Sequence, residues 1–447
     1  MTQFNFVDSP MGAGKTTALF SKLNNEYQKH DNKRYICIVL YKTEQNRYKE
    51  ALKETLPKIP KDGQKINDIV KLISKGENII TTHALFDMFD DNVIDSIKNS
   101  NYIYDLLIDE QPTVLKGIIG GSNSYKNTNN DKINDINSYD LSLALSNKII
   151  EKTDTGKYVW NNKSVYNSYG KGVFFSLKQY LSKYDLYKHS DSNANDKPND
   201  TFISMTKIDI FTCFNQVWIL SYLIKGSLLE NYFNFYDIND FNYYHVENNS
   251  FIQGYKKAYP NIDRLNLEPL KYCFNKSLSY SSYDRLKDSD YKEILRKMDN
   301  FKIRRTEQNK KTKNKQGKRI PTYYYTVYQK ANDKLKQIKR ENKTRLDISI
   351  DDTYLIPCNV KGTNEYKERY IVGYLIDRYV NPMYQSFFAN NNITIDNNLF
   401  SLSELIQFIW RSNIRDENST QPVYVYIASE NTYGLFTEFI KECNTNN

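Results

Sequence analysis

The chain has 447 residues, of which 39% are hydrophobic and 14% aromatic, so it can bury a sizeable core and wholesale disorder is excluded. Its formal net charge of +9 is concentrated in residues 292–345, where 19 Lys and Arg stand against 5 Asp and Glu. No apolar run approaches the roughly 20 residues of a membrane helix, no secretory signal opens the chain, and five scattered cysteines argue against disulfides or structural zinc. We therefore expect a cytoplasmic protein without a membrane partner.

Short apolar runs alternate with helical patterns in the first part of the chain, as in strand–helix–strand units around a parallel sheet. The pattern predicts a strand at 4–7, a Gly-rich turn, and a helix at 16–29. Further strands are predicted at 35–41, 78–82, 106–108 and 216–222, with a helix at 47–55 and an apolar helix after 222. The Ser-, Asn- and Asp-rich composition of residues 120–200 predicts a polar surface insertion containing some helix.

A second α/β unit is predicted for the rest of the chain, so the expected domains are 1–235 and 236–447. Its predicted elements are strands at 271–274, 353–357 and 423–427 and helices at 402–412 and 433–442. The basic segment 292–345 lies within this half as an insertion, and the cationic stretch 309–319 is predicted to form an exposed tip.

A P-loop is predicted at residues 9–16, SPMGAGKT, which follow the first strand and open the first helix. Gly12 and Gly14 allow consecutive backbone N–H groups to face one anion at the positive end of the helix. Lys15 would neutralise the β- and γ-phosphates of ATP, and the Thr16 hydroxyl would complete a Mg²⁺ shell. The alternative is a Gly-rich turn without a ligand. The predicted nucleotide-binding residues of this loop are Pro10, Met11, Gly12, Ala13, Gly14, Lys15, Thr16 and Thr17.

An acidic pair ends the strand in DLLIDEQP, residues 105–112. We expect Asp109 to hold Mg²⁺ through water and Glu110 to polarise the attacking water, since adjacent side chains at a strand end diverge and can perform different tasks. On its own such a pair is more often part of a solvated loop. The P-loop upstream favours the functional interpretation.

These motifs resemble motifs I and II of the superfamily 2 helicases of the DEAD/DEAH type. The resemblance is closest to helicase-like ATPases of bacteriophages and mobile elements. Further segments resemble other motifs of these helicases, in the expected order along the chain. VLYKTEQNR (39–47) resembles motif Ia, and NIITTHALF (78–86) resembles the segment before motif II that contacts the nucleic-acid backbone. Motifs III, V and VI are resembled by ILSYLIKGSLLENYF (219–233), PCNVKGTNEYKER (357–369) and LSELIQFIWRSNIRD (402–416), respectively.

The resemblance implies an α/β fold with two RecA-like P-loop domains and an enzyme that hydrolyses ATP with Mg²⁺ between them. Gln407, Arg411 and Arg415 would reach the γ-phosphate, with Arg415 favoured as the arginine finger. Because the two arginines are four residues apart, a helix would present both on one face. Nucleic-acid contacts are implied for Lys42, Thr43, Thr82, His83, Thr363 and Asn364.

The implied partner is a nucleic acid, with DNA favoured over RNA, and other replication or mobile-element proteins are further candidates. A phage-encoded protein would act in the cytoplasm of its bacterial host. Some of the implied contacts have simpler alternatives: Thr82 and His83 could end a strand and cap a helix, and Thr363 and Asn364 could cap another.

The basic segment suggests an arm that contacts phosphates, since cations beside aromatic rings bind a nucleic-acid backbone and stack its bases. A flexible lysine-rich surface is the alternative. The residues proposed for these contacts are Lys311, Lys313 and Lys315, with Tyr323, Tyr324, Tyr325 and Tyr328 beside them.

Two other functions fit the P-loop. A small-molecule or nucleoside kinase shares this motif, although a second α/β half and a basic segment do not suit it. An ATP-gated binding or packaging subunit would keep the nucleotide site but would not couple ATP hydrolysis to the unwinding of a nucleic acid.

Overall fold

The computed structural model has two units, and each contains a sheet with parallel strands. Unit 1 comprises Met1–Val7, Thr16–Gly254 and Asn381–Ile395, and unit 2 comprises Asp8–Lys15, Tyr255–Val380 and Asp396–Asn447. The structure describes residues 1–27, 32–61, 63, 65–119, 138–163, 172–189, 201–255, 261–307, 322–341, 350–358, 365–416 and 418–445.

The strands fall into three sheets across these described ranges. Their bounds are β1 (Gln3–Asp8), β2 (Lys33–Val39), β3 (Ile79–Thr82), β4 (Ile103–Asp109), β5 (Leu115–Ile119), β6 (Ile150–Lys152), β7 (Lys157–Trp160), β8 (Tyr184–His189), β9 (Thr201–Thr206), β10 (Gln216–Ser221), β11 (Phe241–Glu247), β12 (Ser250–Gln253), β13 (Leu265–Leu267), β14 (Tyr323–Thr326), β15 (Ile371–Tyr374) and β16 (Val423–Ile427).

Helices cover the sheets of both units. Their bounds are α1 (Lys15–Glu26), α2 (Lys42–Ala51), α3 (Lys65–Ser74), α4 (His83–Phe86), α5 (Asp91–Lys98), α6 (Ser138–Ser146), α7 (Val173–Leu181), α8 (Asp209–Thr212), α9 (Leu228–Phe235), α10 (Tyr280–Tyr283), α11 (Asp288–Glu307), α12 (Gln329–Glu341), α13 (Pro382–Asn390), α14 (Asn397–Ile409) and α15 (Glu430–Thr445). Within the part of the chain that the structure describes, no helix has the length and apolar character needed to span a membrane.

The main sheet of unit 1 has the strand order β12-β11-β1-β10-β4-β2-β3. Among the pairs of this sheet whose register is described, β1–β11, β10–β4, β4–β2 and β2–β3 are parallel and the β11–β12 hairpin is antiparallel. Strand β2 shows why the sheet forms: Ile36 and Ile38 point into one apolar cluster, while Tyr35, Cys37 and Val39 point into another. A strand that is covered on both faces needs this continuous apolar sequence.

Unit 2 has a parallel sheet of order β13-β16-β15-β14. Together the two sheets confirm the predicted α/β class. The strand predicted at 423–427 is β16, with the same bounds. The strands predicted at 271–274 and 353–357 are wrong, because each segment contacts the sheet through a single bridge, Phe274–Ser429 and Leu355–Tyr325.

The first unit extends beyond residue 235, where a domain boundary was expected. β11 pairs with β1 and β12 pairs with β11, so the chain leaves unit 1 after Gly254. The segment Asn381–Ile395 also belongs to unit 1, and Phe387 and Phe388 lie in its larger apolar cluster.

The region expected to be a polar insertion contributes β6, β7 and β8 to an antiparallel sheet of order β5-β9-β8-β7-β6, and β5 and β9 flank the region on either side. Its own apolar cluster includes Leu141, Leu177, Leu186 and Phe202, all 0% exposed. The helices α6 and α7 supply part of this cluster. Short strands separated by long polar stretches, much of them outside the described residues, hid this core in the sequence.

The tyrosines of the basic segment lie in the core of unit 2. Tyr323, Tyr324 and Tyr325 form β14 and are at most 1% exposed. The Tyr324 hydroxyl donates to the backbone oxygen of Phe408 at 3.0 Å. The prediction that these rings stack on bases is wrong, because β14 is covered on both faces and its side chains cannot reach a ligand. The Tyr328 hydroxyl is also engaged, donating to the backbone oxygen of Asp377 at 2.7 Å.

Cations of the basic segment that the structure describes pair with acids outside it. Glu268 accepts hydrogen bonds from Arg304 and Arg305, and similar ion pairs join Lys330, Lys334 and Lys336 to Asp284, Asp288 and Asp352. Lys302 is 7% exposed and lies 4.2 Å from the centre of the Tyr354 ring. Burial lowers its pKa to about 8. Helices α11 and α12 therefore use much of this charge within unit 2, and Lys311, Lys313 and Lys315 lie outside the described residues.

Replacing Tyr324 by Ala should lower the free energy of unfolding by about 3–5 kcal/mol, since a fully buried aromatic ring and its hydrogen bond are lost. Urea denaturation measures the change. Tyr280, 55% exposed in the same unit, provides the control, and its replacement by Ala should change stability by about 0.5 kcal/mol or less. A Tyr324→Ala protein as stable as the wild type would contradict the core assignment.

Candidate nucleotide-binding site

The P-loop connects β1 to α1 at the edge of the main sheet where the strands end. Gly12 and Gly14 have φ angles of +92° and +80°, in the left-handed region that favours glycine. Between them Ala13 donates its N–H to the backbone oxygen of Pro10 at 3.3 Å. Both glycines of the motif therefore occupy positions whose left-handed backbone conformation favours glycine over residues with a side chain.

Lys15 lies over its own loop. Its ammonium donates to the backbone oxygens of Ser9 at 2.6 Å and Pro10 at 2.9 Å. The charge thus lies at the N-terminus of α1, where the helix dipole adds to its attraction for an anion.

Thr16 and Asp109 contact each other although 93 residues separate them in the chain. The Thr16 hydroxyl donates to Oδ2 of Asp109 at 3.2 Å. Asp109 is the last residue of β4, and β10 lies between β4 and β1 in the sheet. A hydroxyl and a carboxylate are ligands that Mg²⁺ accepts, so the two residues predicted as metal ligands come together.

Tyr48 is a member of the site that the sequence did not indicate. It lies on α2, is 0% exposed, and its hydroxyl donates to the same Asp109 oxygen as Thr16 does. Burial, and then the nearby Asp109 carboxylate, raise the pKa of Tyr48 well above its ordinary value, so the hydroxyl stays a neutral donor. In the sequence it looks like any core tyrosine on a helix.

Glu110 follows Asp109 in a conformation that is uncommon for a residue with a side chain, with φ of +72°. Its N–H donates to the backbone oxygen of Leu220 at 3.0 Å, while Nε2 of His83 lies 2.8 Å from the backbone oxygen of Asp109. The peptide group between the two acids is thus held from both sides. Such strained residues occur where the surrounding structure determines them, often at functional sites.

The residues expected to touch nucleic acid through the first unit have different environments. Lys42 and Thr43 are exposed in the first turn of α2. Thr82 is 8% exposed, and its hydroxyl caps α4 by accepting the N–H of Leu85 at 3.3 Å. The cap foreseen as an alternative is therefore present, and His83 contacts the acidic pair. Thr363 and Asn364 lie outside the described residues.

The two arginines of the segment that resembles motif VI do not share a helix face. Helix α14 ends at Ile409, and Arg415 closes a separate 3-10 turn, Asn413–Arg415. The expectation of one helical face is wrong, because α14 ends before Arg411, and Ser412, extended with ψ of −174°, separates Arg411 from the 3-10 turn.

Arg411 and Arg415 differ in exposure. Arg411 is 4% exposed and donates to the backbone oxygen of Cys358 at 3.3 Å, whereas Arg415 is half-buried. The backbone of Arg415 lies close to Gly12, which also belongs to unit 2: a Cβ atom added to Gly12 would be 3.8 Å from the backbone oxygen of Arg415. Gln407 donates to the Ser403 hydroxyl within α14 at 3.1 Å. Arg415 is thus the more accessible of the two guanidinium groups.

The solved structures to which this chain is similar include two proteins. The structure of S. tokodaii Xpd4 has a TM-score of 0.44 and 12% identity, covering 98% of this chain and 94% of that chain. The DUF1998 helicase MrfA has a TM-score of 0.33 and 9% identity, covering 98% of this chain, which spans only 49% of MrfA.

Comparison of sequences gave a relative from a prophage. The chain is 29% identical over 453 residues to the SPbeta prophage-derived uncharacterized protein YonV of Bacillus subtilis (strain 168), covering 99% of both chains. Residues 261–440 match the family model of the YonV C-terminal Rossmann-like domain. The chain is thus similar along nearly its whole length to a phage-derived protein, and its C-terminal part is similar to a Rossmann-like domain.

Proposed function

We propose that this chain is an ATP-dependent nucleic-acid helicase or translocase that hydrolyses ATP with Mg²⁺. The observation that carries the proposal is the 3.2 Å contact between the Thr16 hydroxyl and Oδ2 of Asp109. It joins a P-loop to an acidic strand end, the pair of features that an ATPase of this kind needs. A Gly-rich turn without a ligand offers no reason for this contact.

ATP would bind through the loop backbone and Lys15. The left-handed glycines at 12 and 14 open the loop so that its N–H groups can face the phosphates. The Lys15 ammonium would exchange the carbonyl oxygens of Ser9 and Pro10 for phosphate oxygens. The geometry of these groups suits an anion, since each is a donor near a helix N-terminus.

The oxygen donors of Thr16 and Asp109 fit Mg²⁺, which when bound neutralises charge on the phosphates. Glu110 would orient the attacking water and accept its proton. His83 and Leu220, which hold the peptide before Glu110, would keep its carboxylate in place between turnovers.

Arg415 is the residue we assign to the γ-phosphate, where a guanidinium stabilises charge that develops in the transition state. Arg411, almost fully buried and bonded to the Cys358 backbone, would position this turn of unit 2. The two arginines then have separate tasks, in place of a shared contact with the nucleotide.

The nucleic acid would pass the edge where β2 and β4 end. Lys42 and Thr43 are exposed directly after β2, and β2 runs parallel to β4, which ends at Asp109. Contacts of this kind bind the phosphate backbone without reading bases, which suits a protein that moves along any sequence. DNA is favoured as the substrate because the chain is similar to a phage-derived protein. For the same reason, the cytoplasm of the bacterial host is the proposed location.

The ATPase rate with and without single-stranded DNA tests the proposal, followed by displacement of one strand of a tailed duplex. We expect single-stranded DNA to raise the rate and the tailed duplex to be unwound in the presence of ATP and Mg²⁺. Stimulation without displacement would favour a translocase or an ATP-gated binder. The absence of ATP hydrolysis with DNA and with RNA would contradict the proposal.

A further inference from the structure

We propose that Tyr48 is a positioning residue that fixes the carboxylate of Asp109 for Mg²⁺ binding. This inference rests on the proposed function and names a residue outside the motifs that carry it. Tyr48 does not touch the nucleotide in this account. It acts through Asp109.

The Asp109 carboxylate receives two hydroxyl donors on one oxygen. Thr16 donates to Oδ2 at 3.2 Å, and Tyr48 donates to the same atom. Thr16 is itself expected to bind the metal, so its hydroxyl changes partner when Mg²⁺ is present. Tyr48 then remains as the donor that holds Oδ2 and limits rotation of the carboxylate.

The position of the Tyr48 hydroxyl is set by the core of unit 1. Its ring is 0% exposed and packs edge-on against Phe20, with ring centres 4.8 Å apart and planes at 83°. Phe20 lies on α1, the helix that begins with Lys15 and Thr16. Tyr48 therefore connects α2, α1 and the end of β4, and its hydroxyl cannot move away from Asp109 without disturbing this packing.

A second tyrosine, whose hydroxyl also donates to an aspartate of β4, provides a matched control. The Tyr27 hydroxyl donates to Oδ2 of Asp105 at 2.6 Å, and Tyr27 is 7% exposed. Asp105 lies near the beginning of β4, four residues before Asp109, and also accepts the N–H of Gln216 at 3.0 Å. This pair has the same chemistry as Tyr48 and Asp109 but lies at the other end of the strand from the P-loop.

The test compares Tyr48→Phe and Tyr27→Phe by equilibrium binding of a fluorescent, non-hydrolysed ATP analogue across a Mg²⁺ titration. We expect Tyr48→Phe to raise the Mg²⁺ concentration for half-maximal binding about 10- to 100-fold, the usual effect of losing a group that orients a metal ligand. Binding of the analogue in EDTA should stay at the wild-type level. Tyr27→Phe should match the wild type in both measurements.

The phenyl ring of Tyr48→Phe keeps its packing on Phe20, and circular dichroism checks the fold. As a second measurement, the rise in melting temperature caused by Mg²⁺ with the analogue, relative to the analogue alone, is compared within each variant. Because each variant serves as its own reference, most of the effect of its own stability cancels in this difference, which should shrink only in Tyr48→Phe.

A Tyr48→Phe protein with the wild-type Mg²⁺ dependence would overturn the positioning role and leave the proposed function standing. An equal weakening in Tyr27→Phe would also overturn it, since the effect would then be structural. If nucleotide binding by the wild-type protein did not depend on Mg²⁺, the proposed function would be refuted, and the role of Tyr48 with it.

Discussion

Replacing Glu110 by Gln is expected to lower ATP turnover about 10²- to 10⁴-fold, the usual contribution of a positioned general base. Glutamine has the same shape as glutamate but cannot accept the proton of the attacking water. It should adopt the backbone conformation at position 110, with φ of +72°, because the peptide is held by His83 and Leu220. Nucleotide binding should therefore stay close to the wild-type level, so that the loss appears in kcat.

Steady-state ATP hydrolysis and equilibrium nucleotide binding separate these two effects. Glu77→Gln serves as the control. Glu77 lies just before β3, at the end of the main sheet where the parallel strands begin, whereas Glu110 lies where they end. The Glu77→Gln variant should turn over ATP at the wild-type rate. Wild-type turnover by Glu110→Gln would contradict the role of Glu110 and restore the interpretation of the acidic pair as a solvated loop.

Lys15→Ala should reduce ATP turnover by about 10²- to 10³-fold, the effect of removing one donor that stabilises transition-state charge. Unlike the change at Glu110, this substitution should also weaken nucleotide binding, because the ammonium contacts the phosphates in both the ground state and the transition state. The carbonyl oxygens of Ser9 and Pro10, which Lys15 contacts at 2.6 and 2.9 Å, would then face solvent or each other.

The corresponding control is Lys71→Ala, which removes an exposed lysine on α3. Filter binding or fluorescence titration gives the affinity, and a phosphate-release assay gives the rate. Unchanged affinity and rate in Lys15→Ala would show that the loop binds no phosphate.

The contact between Thr16 and Asp109 could be predicted because its chemistry dictates both residues and their secondary structure. A phosphate site needs a loop between a strand and a helix, and its metal needs an oxygen ligand at a strand end, so both leave a local pattern. Tyr48 leaves none. It reaches Asp109 only through the packing of α2 on the sheet, and tertiary packing of one tyrosine has no signature in a single sequence.

The basic segment shows the opposite difficulty. Its composition is visible, but the partners of its charges are not, and Glu268 and Asp352 lie outside the segment that they neutralise. Tyrosines beside lysines look like a binding surface, although Tyr324 and Tyr325 are in fact core residues of β14. Burial of a strand on both faces depends on neighbours far away in the chain, which composition alone does not reveal.

The arginines of the segment that resembles motif VI illustrate the limit of helical spacing. Arg411 and Arg415 are correctly spaced for one helix face, yet α14 ends at Ile409, before both of them, and the extended Ser412 separates Arg411 from the turn that holds Arg415. Serine is tolerated inside helices as well as at their ends, so its role here depends on the turn that follows.

A double-mutant cycle on Thr16→Ala and Asp109→Asn, read out as Mg²⁺-dependent binding of ATP, tests most directly whether these residues form one metal–nucleotide site. We expect each single variant to lose most of the Mg²⁺ enhancement of ATP binding, and the double variant to lose little more, because ligands of one ion act together. Losses that add independently, or an enhancement that survives in all three variants, would contradict the account.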